Sequence, residues 1–156
     1  MRTAESLFCS LCLVLLVGVS ANSQRTKSTL LPVSEISRAI QQCSRPGPEK
    51  YSDTWQPSEL EIQEMESRFE QIKKLTVKEC CIQGARIEDP ERYYMQYVGI
   101  IINKQRLIYI NAFAASTPYE GWKENAINIC DGGTAWGVLY DPKSKEFHDL
   151  AINGVG

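Results

Sequence analysis

The stretch YYMQYVGIIINKQRLIYINAF, residues 93–113, decides the fold of this chain. Its two parts, 93–102 and 106–113, are rich in β-branched and aromatic residues, which are typical of strands. The residues NKQ at 103–105 separate them, so the pattern predicts a β-hairpin. Apolar side chains occupy odd and even positions alike, whereas a sheet with one exposed face alternates with polar residues. A long helix is expected to cover one face, so the second face also needs a cover, from the N-terminal helix, the loop 115–125 or a second subunit.

Further segments extend the predicted sheet. AINIC (126–130) and TAWGVLY (134–140) are expected to form a second hairpin across DGG (131–133), where glycine reaches positive φ without steric cost. FHDLAI (147–152) is predicted as the last strand, and TVKECCI (76–82) as a short edge strand. Short turns between consecutive strands favour an antiparallel sheet.

A long amphipathic helix is predicted ahead of the sheet, over residues 58–75. Ser58 and Glu61 have the spacing of a capping box, in which each side chain accepts a hydrogen bond from a free backbone N–H. A shorter helix is expected from Ser34, after a loose segment at 24–33. The apolar stripe of the long helix, at spacings of three and four, consists of Ile62, Met65, Phe69 and Ile72.

Together these elements predict an α+β fold in a single domain over residues 34–156. N-terminal helices, one of them long and amphipathic, are expected to pack on an antiparallel meander of four to five strands. This order resembles the cystatin-like arrangement. The sequence QYVG at 96–99 is one residue shorter than the Q-x-V-x-G signature of cystatins and lies inside a predicted strand. The resemblance therefore concerns the fold, and inhibition of cysteine proteases is not expected.

The N terminus has the organisation of a signal peptide over residues 1–23. An apolar run extends from about Leu7 to Val19, and small residues follow, so cleavage is expected near 21–23. The run is shorter than the ~20 residues of a membrane-spanning helix. We therefore predict a periplasmic or secreted protein without a stable membrane span after cleavage. A retained N-terminal anchor is the alternative.

Four cysteines remain after cleavage: Cys43, Cys80, Cys81 and Cys130. An even number of cysteines in an exported chain predicts disulfides, because export leads to an oxidising compartment. Three pairings are open. A bond between the neighbours Cys80 and Cys81 would close a strained ring, so Cys43 and Cys130 are each expected to bond to that pair. The spacing does not match a zinc site.

The charge balance bears on the class of partner. The chain has 17 Lys and Arg against 19 Asp and Glu, a formal net charge of −2 at pH 7. Nucleic-acid binding depends on clustered basic residues, so no nucleic-acid partner is expected.

Catalytic and metal sites find little support. His148 is the sole histidine, and a Cys–His pair would need thiols that the disulfides already use. His148 and Asp149 point to opposite faces of a strand unless a bulge intervenes, so a shared metal is not expected. No cofactor is predicted. A small hydrolase using Asp131 or His148 is the alternative to a binding role.

A recognition surface is the functional interpretation that the sequence favours. Tyr119, Trp122 and Trp136, with Asp131 at a predicted hairpin tip, are the candidate binding residues, because aromatic rings offer contact area together with a polar group. The expected partner is another protein. A structural homodimer is a further alternative, since the predicted sheet is apolar on both faces.

A second resemblance covers residues 93–154. YYMQYVGI, RLIYINAF, CDGGTAWGVLYD and the final FHDLAING are similar to a YYxQYxGI…RxIYxNAF…CDGG…WGVxYD…FxxLxxNG pattern of small exported bacterial proteins that have no assigned function. The resemblance implies a bacterial envelope location. The sequence thus favours a small disulfide-braced binding or accessory protein of the envelope, of an inhibitor, immunity or partner-binding type.

Overall fold

The computed structural model describes residues 27–78, 81–130 and 132–154. Two short α-helices, α1 (Ile36–Ile40) and α2 (Glu59–Glu66), accompany 3-10 helices at Val33–Glu35, Phe69–Lys74 and Pro90–Arg92. The strands are β1 (Ser28–Leu30), β2 (Asp53–Trp55), β3 (Tyr94–Ile102), β4 (Gln105–Phe113), β5 (Ala135–Asp141) and β6 (Glu146–Ile152).

All six strands belong to one mixed sheet. Its order is β1-β3-β4-β5-β6, and β2 also pairs with β3. The strands β3 to β6 form an antiparallel meander, whereas β1 runs parallel to β3. β1 and β2 share the outer side of β3, because β1 pairs with Met95–Tyr97 and β2 with Gly99–Ile101. The opposite edge of the sheet is β6.

The hairpin predicted for residues 93–113 is confirmed. Asn103 and Lys104 form its turn with φ of 51° and 66°. Positive φ at both central residues is typical of the type I′ turn, whose twist matches that of the flanking strands.

Both faces of the sheet are covered within the chain. The first face, with Tyr97 and Ile110, packs against Met65 of α2 and against the 3-10 helix Phe69–Lys74. The second face packs against α1, which also confirms the N-terminal helix as one of its expected covers. A second subunit is therefore not required to shield the sheet.

The prediction of one long helix over residues 58–75 is wrong. The capping box of Ser58 and Glu61 is present, but α2 ends at Glu66 after eight residues. A 3-10 helix, Phe69–Lys74, follows. Residues three apart lie on one face of a 3-10 helix, so Phe69 and Ile72 stay on the sheet without a continuous α-helix. Without that helix, the cystatin-like arrangement is wrong as well.

The predicted second hairpin and the four- to five-stranded antiparallel sheet are also wrong. Residues 126–130 form no strand, and β5 pairs with β4 instead. The 126–130 segment crosses the second face, where Asn111 Nδ2 donates to Ile127 O at 2.8 Å and Ile127 N donates to Gln96 Oε1 at 2.9 Å. Side-chain amides replace the ladder that a strand would need.

Two shorter segments also differ from expectation. Ser28–Leu30, in the segment expected to be loose, forms β1 and adds the sixth strand. No strand forms in the described part of 76–82, which lacks residues 79 and 80.

The disulfide pairing differs from the expected one. Cys43 bonds to Cys130, with their Cα atoms 4.9 Å apart. The expectation that each of them bonds to the Cys80-Cys81 pair is therefore wrong, because the 126–130 segment lies beside the residues that follow α1. Cys81 is also disulfide-bonded. The prediction for Cys80 lies outside the described residues.

The predicted signal peptide, residues 1–23, likewise lies outside the described residues. Within residues 27–78, 81–130 and 132–154, no helix has the length and hydropathy of a membrane-spanning segment.

Candidate functional site

A buried carboxylate marks the strongest candidate site. Glu66, the last residue of α2, is only 7% exposed. Its Oε1 accepts a hydrogen bond from the Tyr97 hydroxyl at 2.8 Å and another from Ser28 Oγ at 2.9 Å. The strands β3 and β1 thus each bring one hydroxyl group to the end of the helix.

The Glu66 carboxylate lacks a counter-ion among the residues that the structure describes. Among the residues that the structure describes, no ion pair involves Glu66, and no hydrogen bond reaches its Oε2. Burial, together with the neighbouring Glu66 carboxylate, raises the pKa of Tyr97 well above its ordinary value. The Tyr97 hydroxyl therefore stays protonated and donates to the carboxylate. A buried charge without a counter-ion is costly, so its presence requires a reason.

Glu66 lines a cavity of about 370 Å³, called here the Glu66 cavity. A second carboxylate, Glu59, lies in the same lining but is already engaged, since Gln63 Nε2 donates to its Oε1 at 3.2 Å, so the Glu66 carboxylate carries the argument; no lysine or arginine among the described residues lines the cavity. Ser28, Thr29, Gln56 and Tyr97 add polar groups, and the rest of the lining is apolar. The cavity thus has the charge and polarity to receive a cation.

The Glu66 cavity lies where β1 gives way to β2 along the edge of β3. Gly99 permits this junction, because a Cβ there would lie 2.2 Å from Trp55 O and 2.8 Å from Pro57 Cδ. A neighbouring cavity of about 320 Å³ shares Leu30 and Gln56 with the Glu66 cavity and is also lined by Val33. The β1–β2 edge therefore carries two adjoining recesses.

Two of the predicted aromatic binding residues, Tyr119 and Trp122, lie together around Phe113. Trp122 lies in a cluster with Phe113 and Tyr94, with a centroid distance of 5.2 Å between Tyr94 and Trp122. Tyr119 packs on Phe113 at 5.5 Å and keeps 47% of its surface exposed, whereas Trp122 is buried. Tyr119 is the exposed ring of this group, whereas Tyr94 is half-buried.

The other predicted binding residues do not join this cluster. Trp136 is fully buried in the first-face core, where Tyr93 packs edge-on against it at 5.5 Å. It stabilises the core and offers no surface. Asp131 lies outside the described residues.

A β-bulge changes the expectation for His148. The register between β5 and β6 shifts at Gly137 and Leu139, and Asp149 takes a φ of 54° at the extra position. This bulge brings His148 Nδ1 within 2.8 Å of Asp149 Oδ2, although neighbouring strand residues ordinarily diverge. No group of three or more His, Cys, Asp or Glu side chains suited to a metal occurs in the described ranges.

Sequence reasoning missed Glu66, although the sequence holds a signal for it. Glu66 lies four residues after Ile62 and three before Phe69, which places a carboxylate inside the apolar stripe. Ser28 carries no such signal, because its role depends on the parallel pairing of β1 with β3, in which Ser28 lies opposite the distant Met95.

Comparisons of the chain with protein-family models, with curated proteins and with solved structures found no match.

Proposed function

We propose that this chain is an exported binding protein of the bacterial envelope that holds a partner protein at its β1–β2 edge. A lysine or arginine side chain of the partner occupies the Glu66 cavity. The observation that carries this proposal is the buried Glu66 carboxylate, which lines a cavity and has no cation beside it within the described residues.

The geometry around the Glu66 carboxylate suits a cationic ligand. The Tyr97 and Ser28 hydroxyl groups hold Oε1 in place, so the carboxylate loses little freedom when a ligand arrives. An ammonium or guanidinium group that donates to Oε2 would supply an opposite charge that no described residue of the chain provides. Charge-assisted hydrogen bonds of this kind are among the strong ones in proteins, especially where water is excluded.

Exposed apolar side chains favour a protein as the source of that group. Val33 and Leu60 are 61% and 76% exposed, the highest values among the large apolar residues that the structure describes. Val33 lines the adjoining cavity, and Leu60 follows Glu59 of the Glu66 cavity. A charged anchor in a recess, flanked by apolar contacts, is typical of protein interfaces.

The Cys43–Cys130 disulfide supports export, because such bonds persist in oxidising compartments. The resemblance to small exported bacterial proteins adds support for the envelope.

The test compares three baits in affinity capture: the natural protein, Glu66→Gln and Glu146→Gln. Glutamine keeps the size of Glu66 and can accept from both hydroxyls, whereas exposed Glu146 lies on the opposite edge strand. We expect one stoichiometric partner on the natural protein and on Glu146→Gln, and its loss from Glu66→Gln. Equal retention by Glu66→Gln would refute the proposal.

The His148–Asp149 contact favours a second candidate, a small hydrolase in which Asp149 orients His148 as a general base. A panel of chromogenic ester and phosphate substrates tests it. Turnover that His148→Gln abolishes would support it, and turnover that persists in this variant would exclude His148 as the base.

A further inference from the structure

A separate cavity lies at the β6 edge of the sheet, opposite the Glu66 cavity in strand order. It encloses about 510 Å³, a volume in the range of small-molecule sites. His148 and Asp149 of the bulge form one wall, and the loop 46–49 and the segment 74–78 contribute others. This space is called here the bulge cavity.

Tyr109 on the second face also lines the bulge cavity, and a buried guanidinium lies behind it. Arg45, 4% exposed, donates from Nε and from Nη2 to the Tyr109 hydroxyl oxygen, at 3.3 Å each. It also donates to Asn153 Oδ1 at 2.6 Å and Asn111 Oδ1 at 2.5 Å. No carboxylate pairs with Arg45 in the part of the chain that the structure describes.

These bonds leave the Tyr109 hydroxyl as a donor. Its oxygen accepts twice, and its hydrogen has no acceptor among the described residues. A guanidinium that donates to a phenol oxygen draws electron density from the O–H bond, so the phenol becomes a stronger donor. Gly137 is needed for this placement, because a Cβ there would lie 2.2 Å from the hydroxyl oxygen.

The lining adds positive charge from solvent-exposed Lys74 and Lys78. Two carboxylates also line the cavity, and each is engaged. Asp149 Oδ2 contacts His148 Nδ1 at 2.8 Å, and Glu49 Oε2 accepts from Asn103 Nδ2 at 3.4 Å. With Nδ1 held by Asp149, Nε2 of His148 is the ring atom left to meet a ligand.

We propose that the bulge cavity binds the oxyanion group, carboxylate or phosphate, of a small ligand, with the Tyr109 hydroxyl as its central donor. Lys74 and Lys78 supply the attracting charge, and Arg45 acts through Tyr109. This proposal does not depend on the β1–β2 edge, because none of its residues lines the Glu66 cavity.

The test is an NMR titration of the oxidised protein, purified from the periplasm of an expression host, with inorganic phosphate and with acetate as separate arms. Potassium chloride at matched ionic strength is the control. We expect saturable amide shifts at residues 109, 137 and 148 with at least one oxyanion, in the millimolar range, and the arm that saturates first identifies the group.

Two variants distinguish the loss of a ligand-binding group from a loss of folding. Tyr109→Phe is expected to weaken binding roughly tenfold, and the double variant Lys74→Gln with Lys78→Gln by a similar factor. The double variant changes exposed side chains only, so it stays informative if Tyr109→Phe destabilises the protein. Tyr51→Phe, in the same second-face core, should bind like the natural protein. Absence of saturable shifts with both anions, or unchanged affinity in the double variant and in a folded Tyr109→Phe, would overturn the proposal.

Discussion

At the residue scale, both proposed sites depend on a buried charged side chain, Glu66 in one and Arg45 in the other. Glu66 lies at the first face of the sheet and Arg45 at the second, so the two charges do not meet. Each is held by neutral groups: Glu66 by hydroxyls, and Arg45 by amides and the Tyr109 phenol. Neutral partners compensate part of the desolvation cost of a buried charge. The part of the desolvation cost that they leave uncompensated is the physical reason for assigning a ligand of opposite charge to Glu66 and to Arg45.

Tyr97→Phe tests the anchoring of Glu66. The substitution keeps the ring but removes a hydroxyl that donates at 2.8 Å to a buried carboxylate. We expect the free energy of unfolding to fall by about 2 kcal/mol, as for a lost hydrogen bond to a charged group. Urea denaturation measures it. Tyr93→Phe, whose hydroxyl makes no hydrogen bond within the described residues, should cost much less. Equal losses in both variants would contradict the account.

Asp141→Asn tests a second buried carboxylate. Burial raises the pKa of Asp141, but hydrogen bonds from the Lys143 N–H, Ser144 and Gln105 outweigh it and hold the pKa below the ordinary 3.8. A lowered native pKa stabilises the fold above the unfolded pKa, and that contribution is lost as the pH falls through the native value. The variant should therefore lose about 1–2 kcal/mol at neutral pH.

The difference between Asp141→Asn and the natural protein should shrink as the pH falls below the ordinary carboxyl value of the unfolded chain and through the lowered native pKa of Asp141. Chemical denaturation across a pH series measures this. Exposed Glu146, the cross-strand neighbour of Asp141, provides the control variant Glu146→Gln. A stability difference that stays constant down to acid pH would exclude the ionised carboxylate as its source.

At the element scale, the start of an element could be predicted from local sequence signals, but its end could not. The capping box at Ser58 fixes where α2 begins, and the sequence shows it directly. The end at Glu66 could not be predicted, because spacings of three and four suit both an α-helix and an α-helix that continues as a 3-10 helix. Ser67 Oγ donates to Glu64 O at 2.7 Å, a local bond that competes with helix continuation.

Ser58→Ala tests the role of that capping box. The change removes the acceptor for Glu61 N and a partner of the Glu61 carboxylate. Loss of an N-cap costs about 1 kcal/mol, which should appear as a lower urea midpoint with an unchanged slope. Ser52→Ala, at an exposed hydroxyl that donates to Ile101 O, is the control and should cost less. A neutral Ser58→Ala would mean that α2 is held by packing alone.

At the scale of the whole molecule, the features that could not be predicted from the sequence are those set by pairings between distant segments. The hairpin at 93–113 is local and was predictable from residue type. The parallel pairing of Ser28–Leu30 with β3 joins distant segments, and three residues carry no pattern that would indicate it. The Cys43–Cys130 bond was likewise missed, because spacing alone does not show that 126–130 crosses the second face. The candidate site could not be predicted for the same reason, because it forms only where β1 brings Ser28 beside Glu66.

The double variant Cys43→Ser with Cys130→Ser tests the brace between those segments. The bond closes a separation of 87 residues, and its removal should cost about 2–4 kcal/mol, chiefly because the unfolded chain gains freedom. Thermal and urea unfolding measure the loss. The isosteric change leaves Cys81 in its own disulfide. Unchanged stability would show that the network around Gln96 and Asn111 holds the 126–130 segment without the bond.

The most direct test of the central claim is calorimetric titration of the oxidised protein with Nα-acetyl-lysine methylamide and Nα-acetyl-arginine methylamide. Nα-acetyl-norleucine methylamide serves as the neutral ligand of matched shape. We predict saturable millimolar binding of at least one cationic ligand, no binding of norleucine, and loss of binding in Glu66→Gln but not in Glu146→Gln. Equal binding of the norleucine ligand, or full affinity in Glu66→Gln, would contradict the assignment of a cation to the Glu66 cavity.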